Sequence, residues 1–232
     1  MSISNNLLEI KKKIHKAAES CGRDPQTIKL VAVSKRHSTA SIKEAMTAGH
    51  FLFGENYIQE AAKKREVIND KAQFHFIGHV QSNKAKQAAE LFSMVETVDR
   101  YKLARALNNH LNQLNKKLDI LVQVNIGKDP HKSGIMPEET TELLERITSL
   151  PNIRPLGLMT IPPLSKEKED IRLHFKNLYC LAEDLAHKKL FFDNSSVELS
   201  MGMTQDFTIA IEEGATIIRV GTAIFGERPT LA

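Results

Sequence analysis

Lys35 ends the apolar run Leu30-Val31-Ala32-Val33-Ser34. In a strand, Val31, Val33 and Lys35 share one face and Leu30, Ala32 and Ser34 the other, so both faces stay apolar until the last step. That suits a strand buried on both sides of a parallel sheet. A lysine so placed stands either in solvent at the sheet's rim or inside a pocket. Burial or a nearby cation lowers a lysine pKa, and the free amine can then condense with a carbonyl to form a Schiff base. For Lys35 taken alone, a solvated strand end is the commoner situation. Two further stretches weigh against it. Ser200-Met201-Gly202-Met203-Thr204 and Arg219-Val220-Gly221-Thr222-Ala223 are small and rich in hydroxyls. Backbone N–H groups freed at such loops bind phosphate, with Gly202 and Gly221 allowing close approach and Ser200 and Thr222 as hydroxyl donors. Arg219 shares a strand face with Ile217 and Gly221. Turned inward, its guanidinium needs an acceptor, either a ligand ring nitrogen or a carboxylate such as Glu198 or Asp99. A lysine, an arginine and a phosphate cup on one rim suit pyridoxal 5′-phosphate (PLP). Its aldehyde matches the lysine, its phosphate the cup and its ring nitrogen the arginine.

That convergence requires a fold that brings strand ends together. The apolar periodicity predicts eight strands, at Leu30–Lys35, Phe51–Asn56, Phe74–His79, Met94–Asp99, Ile120–Asn125, a shorter glycine-broken Pro155–Thr160, Ser196–Ser200 and Thr216–Gly221. Helical patterns alternate with them: Ser38 or Thr39 to Ala48 closed by Gly49, Tyr57–Ile68, Ser82–Phe92, Arg100–Leu114, Pro137–Ser149, Lys166–His187, and Thr204, as a cap, to Glu213. Such alternation in 232 residues predicts one α/β domain over residues 1–232, a (β/α)8 TIM barrel. An open doubly wound sheet is the alternative, and the absence of a GxGxxG motif disfavours it. Leu7, Ile10, Ile14, Ala17 and Cys21 recur at helical steps, so residues 1–22 are expected to form an extra helix packed on the barrel. Lys35, Asn56, His79, Asp99, Asn125, Thr160, Ser200 and Gly221 then fall at the C-terminal strand ends, the rim where barrels build their sites.

Composition narrows the function classes. Hydrophobic residues make up 41% and charged residues 26%, the balance of a globular chain. The net charge of +4 is interleaved rather than blocked, which argues against nucleic acid while leaving room for small anions. No run approaches the roughly 20 apolar residues of a membrane span, and no signal-like block opens the chain. Cys21 and Cys180 lack ligand-like spacing, so a reducing cytoplasm is expected. His75 and His79 share a strand face without a third ligand, so no metal site is expected. Lys132-Ser133-Gly134 is read as a turn or a ligand contact, Lys63-Lys64-Arg65 as a solvated helix face, Tyr57 as helix packing, and the methionines mostly as core.

Several motifs are similar to one family. They are Val33-Ser34-Lys35, Phe53-Gly54-Glu55-Asn56-Tyr57-Ile58-Gln59-Glu60, Phe74-His75-Phe76-Ile77-Gly78 with Gln81-Ser82-Asn83-Lys84, and Lys132-Ser133-Gly134. Gly157-Leu158-Met159, Leu199-Ser200-Met201-Gly202-Met203 and Arg219-Val220-Gly221-Thr222-Ala223-Ile224-Phe225-Gly226 complete the set. Over nearly its whole length the chain resembles the pyridoxal-phosphate homeostasis proteins. The resemblance implies a barrel like the N-terminal domain of alanine racemase, without that enzyme's second domain. It implies PLP on Lys35, surrounded by Asn56, Met159, Ser200, Gly202, Arg219, Gly221 and Thr222. It also implies a role in buffering or delivering the vitamin B6 cofactor, with PLP-dependent apoenzymes as recipients and an effect on amino-acid and keto-acid balance. The chain is expected to be a monomer and to have no reaction of its own. His79 stands where some family members carry proline.

The residues agree with a non-catalytic role. An arginine at the ring nitrogen stays protonated and disfavours a pyridinium, which weakens the ring as an electron sink. Two alternatives are a PLP-dependent racemase or decarboxylase, and a sugar-phosphate barrel enzyme that uses Lys35 only as a charge.

Overall fold

The computed structural model describes residues 2–68, 70–163, 165 and 167–227. Eight parallel strands close in chain order into a barrel: β1 (Lys29–Val33), β2 (Leu52–Glu55), β3 (Gln73–Phe76), β4 (Met94–Val98), β5 (Leu118–Gln123), β6 (Ile153–Met159), β7 (Glu198–Ser200) and β8 (Ile217–Val220). The seam is the β1–β8 pair, in register from Lys29↔Ile217 to Ala32↔Val220. Around the strands run α1 (Ile3–Ser20), α2 (Thr39–Thr47), α3 (Ile58–Arg65), α4 (Ala85–Leu91), α5 (Tyr101–Leu114), α6 (Thr140–Ile147), α7 (Lys168–His187), α8 (Phe207–Glu212) and α9 (Thr222–Phe225). The chain is a (β/α)8 barrel with a helix ahead of β1.

The core has two parts, because strand residues alternate between the faces of a closed sheet. The outward faces meet the helices in one large apolar shell, including Phe53, Phe74, Leu107, Leu144, Phe175 and Ile218. Inside the barrel, Val31, Met94, Leu121, Met159 and Ile217 form a separate plug. Each of these side chains contributes about 1.5–3 kcal/mol by leaving water. α1 starts at Ser2, whose Oγ accepts the Asn5 N–H at 3.3 Å. It buries Leu7, Ile10, Ile14, Ala17 and Ala18 against α2, α8 and α9, while Cys21 stays exposed. Arg23 then ties the following turn to the Ile211 and Ala215 carbonyls at 2.7 and 2.9 Å.

Several boundaries differ from the sequence expectation. β6 is not short; it is seven residues long. Its register against β5 steps from Ile120↔Pro155 to Leu121↔Gly157, so an extra residue bulges where the glycine suggests a break. The helix expected from Thr204 begins instead at Phe207. Asp206 Oδ1 takes the Met203 N–H at 2.6 Å and holds residues 203–206 in a turn, so Thr204 caps nothing. The segment from Ser82 enters α4 through a 3-10 turn, Ser82–Lys84. The expected start of α7 at Lys166 lies outside the described residues, and the described helix begins at Lys168.

Gly157 is required by a close approach. A Cβ there would lie 1.8 Å from the Glu198 carbonyl oxygen in the β6–β7 ladder. Gly157→Ala must separate two barrel strands and is expected to cost about 3 kcal/mol or more, read as a lowered urea midpoint. An unchanged midpoint would show that β6 and β7 are not locked at this distance.

Candidate functional site

At the C-terminal end of the barrel lies a cavity of about 620 Å³ whose lining includes Lys35, Asn56, Lys132, Arg219, Gly221 and Thr222, with Val33, Ile77, Ile161 and Ile209 as apolar wall. This is the end where the fold builds sites, and the volume suits a small organic ligand. Two larger hollows lie elsewhere. One, of about 820 Å³, opens where the N-terminal ends of β1 to β3 meet α1. There Lys29 is already paired with Glu198 and His15 with Glu19. The other, of about 700 Å³, lies along α7 and α8. Neither combines an amine, a buried guanidinium and an unpartnered buried acceptor as the rim cavity does.

The floor of the rim cavity is a chain of buried polar groups. Arg219, only 3% exposed, donates from Nη1 to Ser200 Oγ at 2.5 Å and from Nη2 to the Thr160 carbonyl at 2.8 Å. Ser200 Oγ in turn donates a hydrogen bond to Glu96 Oε2 at 2.5 Å, and Glu96 Oε1 meets His75 Nδ1 at 2.7 Å. Thr160 is fixed in turn by donating to the Val124 carbonyl at 2.8 Å. Burial lowers the Arg219 guanidinium from its usual value, opposed by the charges of Glu96 and Asp206, and arginine remains protonated. Burial works against an ionised Glu96, but the His75 hydrogen bond and the charges of His75 and Arg219, with the Ser200 hydroxyl, outweigh it and hold the carboxyl below its ordinary value. Burial raises Asp206, with the Met203 N–H and the Arg219 charge opposing. The carboxylates suggested for Arg219 from sequence are elsewhere: Glu198 bonds Lys29 and Thr216, and Asp99 bonds Arg100. β4 instead supplies Glu96, on the inward face it shares with Met94.

The expected cofactor residues divide by place. Lys35, Asn56, Arg219, Gly221 and Thr222 line the cavity. Ser200 lies fully buried behind Arg219, and its hydroxyl proton goes to Glu96 rather than to the cup. Met159 is fully buried in the apolar plug below. Gly202 takes φ +91°, and a Cβ there would press within 2.5 Å of Ala210 Cβ, so this position shapes the turn into α8. Its carbonyl accepts the Arg219 N–H at 3.0 Å.

Other rim positions serve the scaffold. Asn125 folds its loop by bonding Asp129 N and O at 3.1 and 2.8 Å. His79 is half exposed and faces Asp99 at 3.9 Å, and His75 is the partner of Glu96. Lys132 reaches the Pro162 carbonyl at 2.8 Å across the cavity wall. Tyr57 does not pack under a helix; it is 47% exposed and lies 5.9 Å from the Arg36 guanidinium. Nor is Lys63-Lys64-Arg65 a uniformly solvated face. Lys64 is 4% exposed because Glu55 and Glu60 take its ammonium, each at 2.6 Å. Its burial follows from spacing: Ile58, Ala61 and Lys64 recur every three residues on the buried face of α3.

The donor set can be tested against PLP on this geometry. Asn56 Oδ1 is buried with no hydrogen-bond partner among the described residues, an acceptor left for a ligand donor. Lys35 supplies an amine, Arg219 a fixed cation, and Gly221 with Thr222 a small, hydroxyl-bearing edge. These residues fit a ligand with an aldehyde, a ring nitrogen and an anionic group.

Comparison with known proteins agrees. The alanine racemase N-terminal domain family matches residues 5–229. The pyridoxal phosphate homeostasis protein of Aquifex aeolicus is 39% identical over 229 residues, spanning 98% of this chain and 99% of its own. PipY of Synechococcus elongatus, in a structure with PLP bound, superposes with a TM-score of 0.86 at 32% identity, over 97% of this chain and 100% of that chain. An alanine racemase of Clostridium difficile shares the fold, with a TM-score of 0.74 at 16% identity over 99% of this chain but 57% of that one.

The Glu96 shift has a direction that can be measured. Its folded pKa lies below the ordinary 4.5, so on acidification the unfolded chain takes up this proton first. The stability it contributes is complete above the unfolded value and is lost as pH falls through the lowered folded value. Glu96→Gln is expected to lower stability at neutral pH and to flatten the acid loss that sets in below about pH 4.5 in urea titrations. An acid limb as steep as that of the wild type would contradict an ionised Glu96 beneath Arg219.

Proposed function

The chain belongs to the pyridoxal phosphate homeostasis proteins, within the alanine racemase N-terminal domain family, and we propose from this that it binds PLP in the rim cavity through a Schiff base to Lys35. The observation that carries the proposal is the convergence, on one cavity, of the Lys35 amine, the buried Arg219 guanidinium and the unpartnered Asn56 acceptor. Bound there, PLP supplies an electrophilic aldehyde and an electron-withdrawing ring.

The residues of the chain do the holding. Lys35, two residues beyond β1 and half-buried, offers its amine where solvent still reaches it. Arg219 presents N–H donors and no acceptor, so the group it faces is kept as an unprotonated acceptor. Glu96 and Ser200 fix that guanidinium from below. Gly221 and Thr222, leading into α9, offer backbone N–H groups and a hydroxyl to a phosphate. Thr222 is exposed and Lys35 partly so, which supports reversible loading and release at an open mouth.

On this reading the protein buffers PLP or delivers it to apoenzymes in the cytoplasm and has no reaction of its own. Racemase chemistry needs an acid or base beside the cofactor. The three tyrosines stand elsewhere: Tyr57 against Arg36, Tyr101 under Arg146, and Tyr179 in the hollow along α7. Among the described residues no helix is long and apolar enough to cross a membrane.

Protein loaded with PLP is expected to absorb near the visible edge. After borohydride reduction, peptide mapping should find the adduct on Lys35 and Lys35→Ala should carry none; an unmodified wild-type Lys35 would sink the proposal. Amino acids incubated with the loaded protein in deuterated buffer should keep their α-protons at the rate of free PLP. Sustained exchange that Lys35→Ala abolishes would make the protein an enzyme.

A further inference from the structure

Lys64 lies outside the cavity, yet it holds both neighbours of Lys35. Its ammonium has three protons and three short acceptors: the Ser34 carbonyl at 2.7 Å, Glu55 Oε1 at 2.6 Å and Glu60 Oε1 at 2.6 Å. The same two carboxylate oxygens reach back to the lysine-bearing loop. Glu55 Oε1 accepts from Ser34 Oγ at 2.6 Å, and Glu60 Oε1 accepts the Arg36 N–H at 2.6 Å. The residue before Lys35 is thus tied by carbonyl and hydroxyl, and the residue after it by its N–H. Arg36 takes φ +63°, in the left-handed region that residues with a side chain seldom occupy. Such a conformation persists where its surroundings over-determine it.

The pair is costly as a purely structural device. Lys64 and Glu55 are almost wholly out of water, and Glu55 Oε2 has no partner among the described residues. Burial raises the Glu55 pKa, with the Lys64 charge opposing. A well-packed apolar pair would serve stability as well. What charge adds at this place is direction: it fixes the peptide groups on either side of one side chain.

We propose that Lys64 is a positioning residue that, through Ser34, Glu60 and the strained Arg36, aims the Lys35 amine for condensation with the PLP aldehyde. The inference rests on the PLP reading above. In that condensation the Lys35 Nζ, unprotonated, forms a C=N bond with the aldehyde carbon as the C=O bond breaks, and the aldehyde oxygen leaves as water with the two Nζ protons. Lys64 neither touches the ligand nor moves a proton in the step.

The test separates aim from integrity by using two ligands on the full-length chain. Pyridoxamine 5′-phosphate shares the ring and phosphate but carries an amine in place of the aldehyde, so it cannot condense with Lys35. Stopped-flow absorbance should show Schiff-base formation slowed roughly 10- to 100-fold in Lys64→Met, the range expected for a misplaced reacting group. Pyridoxamine phosphate affinity, by calorimetry, should stay at the wild-type value, and Lys64→Arg should recover part of the rate. Unchanged PLP kinetics in Lys64→Met would overturn the inference, and so would equal losses for both ligands, which mark a structural role. Should Lys64→Met fail to fold, Glu60→Ala decides, since Glu60 is 26% exposed and its removal frees only the Arg36 N–H and one arm of the ammonium. It should slow condensation in the same sense, and a wild-type rate in it would overturn the inference. A wild type that binds pyridoxamine phosphate but never condenses PLP on Lys35 would refute the Schiff-base reading itself.

Discussion

A buried positive charge needs a buried negative one, and much of the barrel's upper interior follows from placing Arg219 there. The guanidinium is 3% exposed at the end of β8. Left unpaired it would be far too costly to keep out of water. Glu96 answers it from β4 through the Ser200 hydroxyl of β7, and His75 of β3 completes the carboxylate's partners. Four strands of the closed sheet are thereby tied at one level. Below that level the interior is apolar, with Val31, Leu121 and Met159 filling the barrel. Above it the same guanidinium faces the cavity. One residue therefore sets the boundary between packed core and binding site.

A second buried cation repeats the logic at the edge of the site. Lys64, held by Glu55 and Glu60, binds the backbone that carries Lys35. Of the two buried networks, one stands under the cavity floor and one under the amine, and neither offers an acid or a base to the space above. A site arranged this way is suited to holding a cofactor in one orientation and letting it go. The relatives the chain matches are named pyridoxal phosphate homeostasis proteins.

Strand–helix alternation made the barrel legible in the sequence, because a closed parallel sheet forces it on the chain. Lys35 and Arg219 were legible as chemistry, since each interrupts an apolar strand. Their partners were not. Glu96 and Ser200 are 104 residues apart in the chain, and only barrel closure brings them together. A carboxylate two residues beyond Met94 in a mostly apolar strand was the available signal. Lys64 was hidden by its neighbours Lys63 and Arg65, although its three-residue step from Ala61 placed it on the buried side of α3. The bulge in β6 escaped for another reason: Pro155 and Gly157 also end strands, and nothing local separates a bulge from a break.

The most direct test of the account is a crystal structure of the protein grown with PLP. The account predicts density continuous with Lys35 Nζ in the rim cavity, the ring nitrogen toward Arg219 and the phosphate at Gly221 and Thr222. PLP lodged in the hollow at the other end of the barrel, or turned with its ring nitrogen away from Arg219, would contradict it.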